Sequence, residues 1–317
     1  MLHPYARRVI KMYNGHKKYA LFIGRWQPFH NGHKYLIDEA LAKGENVCVA
    51  IRNTEISRKN PYTSEQRAEM IRRVYGDRVE IIIIPDITSI NIGRNVGYEV
   101  NRIDPPADIE KISGTNVRAG KDDNVPKEVA EYIKLLRTTL WLTGLPCSGK
   151  TTIAERLKEE MSNRGFKAVH LDADDVRSTL NSDLGFSPDD RKENLRRIAC
   201  VAKLFNDNGN FVIASFVSPS DELRNMVKDI IGNFKLAFVK CSPKVCEQRD
   251  VKGMYKKARA GQIRDFTGVS APFDSPAHPD MVINTESRNV EDCVREILDK
   301  IGFTQSREHS FCLFGKK

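Results

Sequence analysis

The stretch Trp141-Leu142-Thr143-Gly144-Leu145-Pro146-Cys147-Ser148-Gly149-Lys150-Thr151-Thr152 constrains the fold of this chain more than any other. Its apolar start reads as a buried strand. Gly144 and Gly149 let the backbone turn its N–H groups inward, and a helix opens behind them. Amide dipoles and a helix N-terminus converging on one point suit a phosphate. Lys150 sits where an amine meets the β and γ phosphates of a nucleoside triphosphate, and Thr151 where a hydroxyl meets Mg²⁺. Glycine-rich turns before helices are common and mostly structural; the complete spacing ending in Lys-Thr is not. Gly144, Ser148, Gly149, Lys150, Thr151 and Thr152 are thus expected to bind ATP. Thr151 is the metal residue, and Mg²⁺ with ATP is the cofactor.

At 317 residues the chain exceeds one ordinary core. Short apolar runs alternate with helical patterns throughout. Strands are expected at Ala20–Gly24, Asn46–Ile51, Val79–Ile84, Thr139–Thr143, Ala168–Leu171, Phe211–Ser215 and Leu236–Lys240. Helices are expected at Lys34–Ala42, Ser64–Tyr75, Lys127–Leu136, Thr151–Arg164, Arg191–Asn208 and Val290–Ile301. This is an α/β pattern, read as two doubly wound parallel-sheet domains. The alternation breaks at Ala119-Gly120-Lys121-Asp122-Asp123-Asn124-Val125-Pro126. The expected domains are 1–120, a linker helix over 121–137, a second domain over 138–302, and a tail over 303–317 with a Phe311-Cys312-Leu313-Phe314 patch.

A net charge of +9 suggests anionic partners. The Lys and Arg are dispersed among Asp and Glu with no long basic tract, which favours nucleotide and phosphate substrates; no nucleic acid is expected. No apolar run approaches a membrane span and the first residues lack a signal-peptide core, so a cytoplasmic protein without membrane contact is expected. The seven cysteines are odd in number, scattered and without a CxxC pair, which reads as buried small side chains rather than disulfides or zinc.

Beyond the loop, Leu171-Asp172-Ala173-Asp174-Asp175-Val176-Arg177 puts three Asp in four positions directly after a strand, facing the ligand crevice of a doubly wound sheet. One Asp could cap the next helix, but three exceed what a cap requires. Phosphoryl transfer to a hydroxyl needs such a carboxylate, with cations spreading the charge of the moving group. Further stretches follow in order: Asp183-Leu184-Gly185-Phe186-Ser187, Asp190 to Arg197, Ser218-Pro219, Cys246 to Arg259, and Phe266-Thr267-Gly268. Over about residues 138 to 286 this half resembles adenylylsulfate kinase, which moves the γ-phosphate of ATP to the 3′-hydroxyl of adenosine 5′-phosphosulfate.

The resemblance implies Asp174 as general base alongside Lys150. It implies Arg177, Arg191 and Asn194 on the phosphosulfate and ribose, Phe186 and Phe266 sandwiching the adenine, and a mobile lid from Lys252 to Arg259. Ser218 matches a serine of that family which marks the site rather than acting as nucleophile. The pattern departs at Ala173 and Asp175, where the family has Gly and Asn, and at Asp221, where it has Arg. An anion in place of a cation leaves open a related nucleotide conjugate in place of adenylyl sulfate.

In the first half, Phe22-Ile23-Gly24-Arg25-Trp26-Gln27-Pro28-Phe29-His30-Asn31-Gly32-His33 also links a strand to a helix. Two histidines three apart share one face of a first turn. Zinc would need a third ligand that is not close by; a core or cap role and phosphate binding at the helix N-terminus both remain. With Asn60 to Arg67 and Ile112-Ser113-Gly114-Thr115-Asn116-Val117-Arg118, this half resembles the HxGH nucleotidylyltransferases, particularly the nicotinamide-mononucleotide adenylyltransferase branch. The resemblance implies that His30 and His33 stabilise charge at the α-phosphate and departing pyrophosphate. Gly24 and Arg25 would line the ATP pocket, and Ser113, Thr115 and Arg118 would grasp the triphosphate. The connection Ile87–Val96 is short where that branch carries another strand and much of its acceptor pocket, which counts against NMN; sulfate adenylyltransferases also use a paired-His element and an Ile-Ser-Gly-Thr element, and that resemblance implies a small anionic acceptor.

The leading expectation is a bifunctional enzyme in which the first domain releases pyrophosphate and supplies an adenylate that the second phosphorylates. A pyridine-nucleotide salvage enzyme, pairing NMN adenylyltransferase with a ribosylnicotinamide kinase, is the alternative. A nucleotide sensor or RNA-binding protein without turnover is the reading from another class. A homodimer is left open.

Overall fold

The computed structural model describes residues 17–93, 97–118 and 123–303. They form two compact units, 17–132 and 133–303. Residues 304–317 of the expected tail, the first residues and part of the break at 119–126 lie outside the described residues, and Phe303, expected to open the tail, is buried against Phe166 and Phe211.

The first unit runs β1 (Tyr19–Gly24), α1 (Asn31–Ala42), β2 (Asn46–Asn53), α2 (Ser64–Tyr75), a 3₁₀ turn, and β3 (Val79–Pro85). Two short helices follow, α3 (Ala107–Glu110) and α4 (Gly114–Arg118), before α5 (Lys127–Leu136) begins. The strands make a three-stranded parallel sheet in the order β1-β2-β3, with Ile23 opposite Ala50 and Ala50 opposite Ile82. β2 is central, and its Val47, Val49, Ala50 and Ile51 are buried, as a strand covered on both faces requires. Ile37 of α1 and Ala68 and Ile71 of α2 are buried as well. Each large aliphatic side chain removed from water contributes about 1.5–3 kcal/mol. The start of α2 is fixed reciprocally: Thr63 Oγ1 accepts from the Gln66 amide at 3.2 Å, and Gln66 Oε1 accepts from the Thr63 amide at 2.9 Å.

The second unit runs β4 (Thr139–Thr143), α6 (Lys150–Asn163), β5 (Ala168–Asp172), α7 (Ala173–Ser178), α8 (Pro188–Asp207), β6 (Phe211–Ser215), α9 (Asp221–Ile231) and β7 (Phe234–Lys240). It ends with α10 (Pro243–Arg249), α11 (Met254–Arg259), β8 (Met281–Asn284) and α12 (Val290–Ile301). Its five parallel strands are ordered β5-β6-β4-β7-β8. β4 and β6 are buried at every residue. The direction of winding reverses at β4, so the glycine-rich loop leaves its strand at the switch point where α/β sheets bind ligands.

β4 and β6 match the expected strands residue for residue. α8 begins three residues before the expected Arg191, because Ser187 caps it by accepting from the Asp190 amide at 3.2 Å and Pro188 supplies a preformed first turn. β8 was not expected. It is a four-residue edge strand with alternating burial, too short to show a pattern.

Candidate active sites

In the second unit the loop after β4 closes on itself. Gly144 has φ +156°, and a Cβ there would lie 2.4 Å from the Val239 carbonyl, so no other residue fits. Gly149 takes φ +97° to turn the chain into α6. Lys150 is 8% exposed and its Nζ donates to the carbonyls of Gly144 at 3.0 Å and Leu145 at 2.8 Å. Burial lowers its pKa to about 8. Ser148 is fully buried, its hydroxyl without a partner among the described residues. Thr151 and Thr152 lie exposed at the start of α6.

Thr151 Oγ1 donates to Asp172 Oδ2 at 2.8 Å. Asp172, at the end of β5, also accepts from Ser215 Oγ at 2.8 Å and, through Oδ1, from the Asp174 amide at 2.9 Å. These donors hold its carboxyl below the usual range against the opposing effect of burial. A hydroxyl beside an ionised carboxylate is a hard oxygen donor set, which fits a magnesium ion.

Asp174, one residue into α7, is exposed and pairs with Lys252, which α11 and the turn before it carry over the site. Arg177 donates to the Gly185 carbonyl at 2.8 Å and stacks over Phe186, 4.4 Å from the ring centre. Phe186 is 62% exposed, whereas Phe266 is 9% exposed and meets Tyr255 edge-on. Arg191 joins the two: Nε donates to the Phe186 carbonyl at 2.9 Å, Nη1 to Thr267 Oγ1 at 2.8 Å, and Nη2 to the Asp265 carbonyl. Asn194 is buried and its Oδ1 accepts from Asn181 Nδ2 at 2.9 Å. Ser218 is buried with φ +44°, and its hydroxyl accepts the Trp141 indole N–H at 2.9 Å. Arg177, Arg191, Asn194 and Ser218 thus all bond to protein groups in this structure.

The departure at Asp221 has a local reason. Arg224 is 2% exposed and donates to the carbonyls of Ser218 at 2.6 Å and Asp274 at 2.8 Å, and Asp221 Oδ1 accepts from its Nε at 3.0 Å and its Nη2 at 2.9 Å. A buried guanidinium needs a counter-ion, and Asp221 supplies it.

In the first unit His30 is the N-cap of α1 rather than a member of its first turn. Each histidine caps the other, Nδ1 accepting the partner's backbone N–H at 3.4 Å, with the rings stacked 3.6 Å apart. Trp26 stands edge-on to His33 at 4.8 Å. Burial, then the His30 neighbour, lowers the His33 pKa to about 3, so its imidazole is neutral. Among the described residues no three His, Cys, Asp or Glu side chains are grouped to hold a metal.

Arg118 donates to the Gln27 carbonyl and, at 3.0 Å, to Thr115 Oγ1; Ser113 Oγ accepts the Asn116 amide at 3.1 Å. The structure thereby joins the α4 segment to the loop after β1. Burial and the exposed Arg25 nearby both press down on the Arg118 charge. Two converging cations beside a helix N-terminus make a place for a polyphosphate. Fully buried Arg67, absent from the expected site, ties the carbonyls of Thr63 (3.1 Å), Arg25 (2.6 Å) and Arg52 (2.9 Å). Only tertiary contact shows that role; in the sequence Arg67 closes the Asn60–Arg67 stretch with no task assigned to it.

The sequence family described as adenylylsulphate kinase matches residues 137–284. The adenylyl-sulfate kinase of Bacillus pumilus is 48% identical over 164 residues, 51% of this chain and 83% of that protein. The chain belongs to the adenylylsulphate kinase family. The adenylyl-sulfate kinase of Phocaeicola vulgatus is 46% identical over 177 residues, 55% of this chain and 87% of that protein. Among solved structures, the Mycobacterium tuberculosis APS kinase in complex with AMPPNP and APS is similar, with 38% identity and a TM-score of 0.51 over 52% of this chain and 97% of that one. A cytidylyltransferase-like family matches residues 21–170. Its last part overlaps the kinase match, and the pairing of β4 with β6 and β7 assigns that part to the kinase sheet. The chain is therefore an enzyme with an ATP-dependent phosphotransferase unit and a nucleotidyltransferase unit. No helix among the described residues is long and apolar enough to cross a membrane.

Proposed function

We propose that the kinase unit transfers the γ-phosphoryl group of ATP to the 3′-hydroxyl of adenylyl sulfate or a closely related nucleotide conjugate. The observation carrying this reading is the Lys252–Asp174 pair, with Asp174 acting electrostatically on Lys150, together with Arg191, which ties the Phe186 backbone to Asp265 and Thr267 on either side of Phe266. Lys150 exchanges its loop carbonyls for the β and γ phosphates, and Asp174, released from Lys252, orients the hydroxyl and accepts its proton. Lys252 then follows the transferred charge, and the lid excludes water. Phe186 offers an exposed face for a base, and Phe266, now buried against Tyr255, would have to be uncovered to meet its other side. Thr151, with Asp172 behind it, would hold magnesium, which would supply positive charge to neutralise the phosphates.

The first unit acts as a nucleotidylyltransferase for a small anionic acceptor. His33, being neutral, serves as a hydrogen-bonding imidazole rather than a cation, and Arg118 and Arg25 carry the positive charge for the polyphosphate. The adenylate made there feeds the kinase. The domain bounds fitting this division are 1–120, 121–137 and 138–302.

Asp221 stands where the family has a cation, but its charge is met by buried Arg224, so adenylyl sulfate is the first acceptor to test and a conjugate carrying a group other than sulfate is the second reading. Incubating the whole protein with Mg²⁺, ATP or CTP, and a panel of sulfate, molybdate, phosphate and nucleotide acceptors, with products identified by mass, tests all of this. Adenylyl sulfate gaining one phosphate supports the kinase reading; its recovery unchanged beside a phosphorylated alternative selects the second. No pyrophosphate from any combination would refute the transferase reading.

A further inference from the structure

β5 and β6 carry a chain of polar side chains behind the magnesium-type donors. His170 Nε2 lies 2.9 Å from Ser215 Oγ, and Ser215 Oγ lies 2.8 Å from Asp172 Oδ2, which also receives Thr151 Oγ1 at 2.8 Å. Ser215 is 2% exposed, and the His170 side chain is 9% exposed. The parallel register sets Asp172 directly opposite Ser215 and His170 opposite Ile213, which brings all three groups to one end of the sheet.

Proton bookkeeping fixes the direction of this chain. An ionised carboxylate only accepts, so Ser215 spends its single proton on Asp172. The contact with His170 must then be filled by a ring N–H, which makes Nε2 the protonated nitrogen. Thr151 likewise spends its proton on Asp172, leaving the lone pairs of Oγ1 as its only remaining hydrogen-bonding or ligating capacity. Rotation of the Asp172 carboxylate would free the Thr151 hydroxyl to point its proton at a cation.

We propose that His170 and Ser215 are positioning residues for the metal-nucleotide complex: the N–H of His170 holds Ser215, and Ser215 holds Asp172 in the one orientation that presents Thr151 lone pairs to a divalent cation. The inference rests on the reading of the glycine-rich loop as a magnesium-nucleotide site. Hydrogen-bond partners of metal-site ligands typically change metal affinity by about 10- to 100-fold when removed.

Manganese is a paramagnetic stand-in for magnesium. Binding of Mn²⁺ to the full-length protein saturated with ADP is measured by electron paramagnetic resonance, and ADP affinity in chelator is measured separately. For Ser215→Ala and His170→Leu, Mn²⁺ affinity is expected to fall about 10-fold while metal-free ADP affinity stays within twofold. The double variant should be no worse than either single one, because the chain acts as a unit. His170→Gln, which keeps an N–H donor, should recover most of the loss. Unchanged Mn²⁺ affinity in both single variants, or an equal loss of metal-free ADP affinity, overturns the proposal. If the unmodified protein shows no metal-dependent ADP binding, the nucleotide reading itself fails, and this inference falls with it.

Discussion

At the scale of single residues, both sites are built from groups whose charge is set by their surroundings. Lys150 is buried against its own loop, so it costs little to redirect toward phosphate and much to replace. Lys150→Ala should lower phosphoryl transfer by about 10³-fold in a steady-state assay while pyrophosphate release by the first unit is unchanged. His33 gives a pH-dependent prediction. Its folded pKa of about 3 lies below the unfolded value of 6.5, so between those limits the unfolded chain binds more protons. Stability of the first unit should therefore decline as pH falls from about 6.5 toward 3, by less than about 1.4 kcal/mol per pH unit. Urea melts followed in His33→Asn should show a shallower slope; an equal slope would mean that other groups carry the acid sensitivity. The spacing of His30 and His33 is legible in the sequence, but their mutual capping is not. Whether a histidine opens a helix or sits inside it depends on backbone angles at one residue, here φ −127° at His30.

At the scale of elements, the Lys252–Asp174 pair and the contacts of Arg191 tie together loops that are far apart in sequence. The Lys252–Asp174 pair is largely exposed, and such pairs contribute about 0–1 kcal/mol. Lys252→Ala should leave the melting temperature almost unmoved and lower kcat by about 10²-fold, a combination that separates a lid function from a structural one. Arg191 makes contacts in three directions from one planar group. Arg191→Lys cannot reproduce that fork, and KM for the nucleotide acceptor should rise about 10-fold with a smaller change in kcat. A lysine variant with unaltered KM would show that Phe186 and Phe266 are held by other means. The motifs around these residues are legible in the sequence, but α8 starts three residues before the expected Arg191, at a start signal carried by Ser187 and Pro188. The Arg191 contact itself was hidden, because Arg191 and Thr267 are 76 residues apart and no local pattern links them.

At the scale of the molecule, the proposed function divides the chemistry of a triphosphate between two strand-to-helix loops on two parallel sheets, the α position falling to the first and the γ position to the second. His33→Ala should abolish pyrophosphate release and leave phosphorylation of a supplied nucleotide conjugate intact, the mirror image of Lys150→Ala. Loss of both activities in either variant, measured on the same full-length preparation, would point to one cooperative site instead. The α/β class, the parallel strands at Thr139–Thr143 and Phe211–Ser215, and the glycine turn from β4 into α6 were determined by sequence alone, since hydrophobic period and glycine placement are local properties. Tertiary structure decided the rest. That Asp221 neutralises a buried arginine, that Arg67 ties three carbonyls, and that His170 reaches Asp172 through Ser215 depend on which strand ends and helices meet. Those meetings are fixed by sheet register and burial across distances along the chain that no local pattern spans.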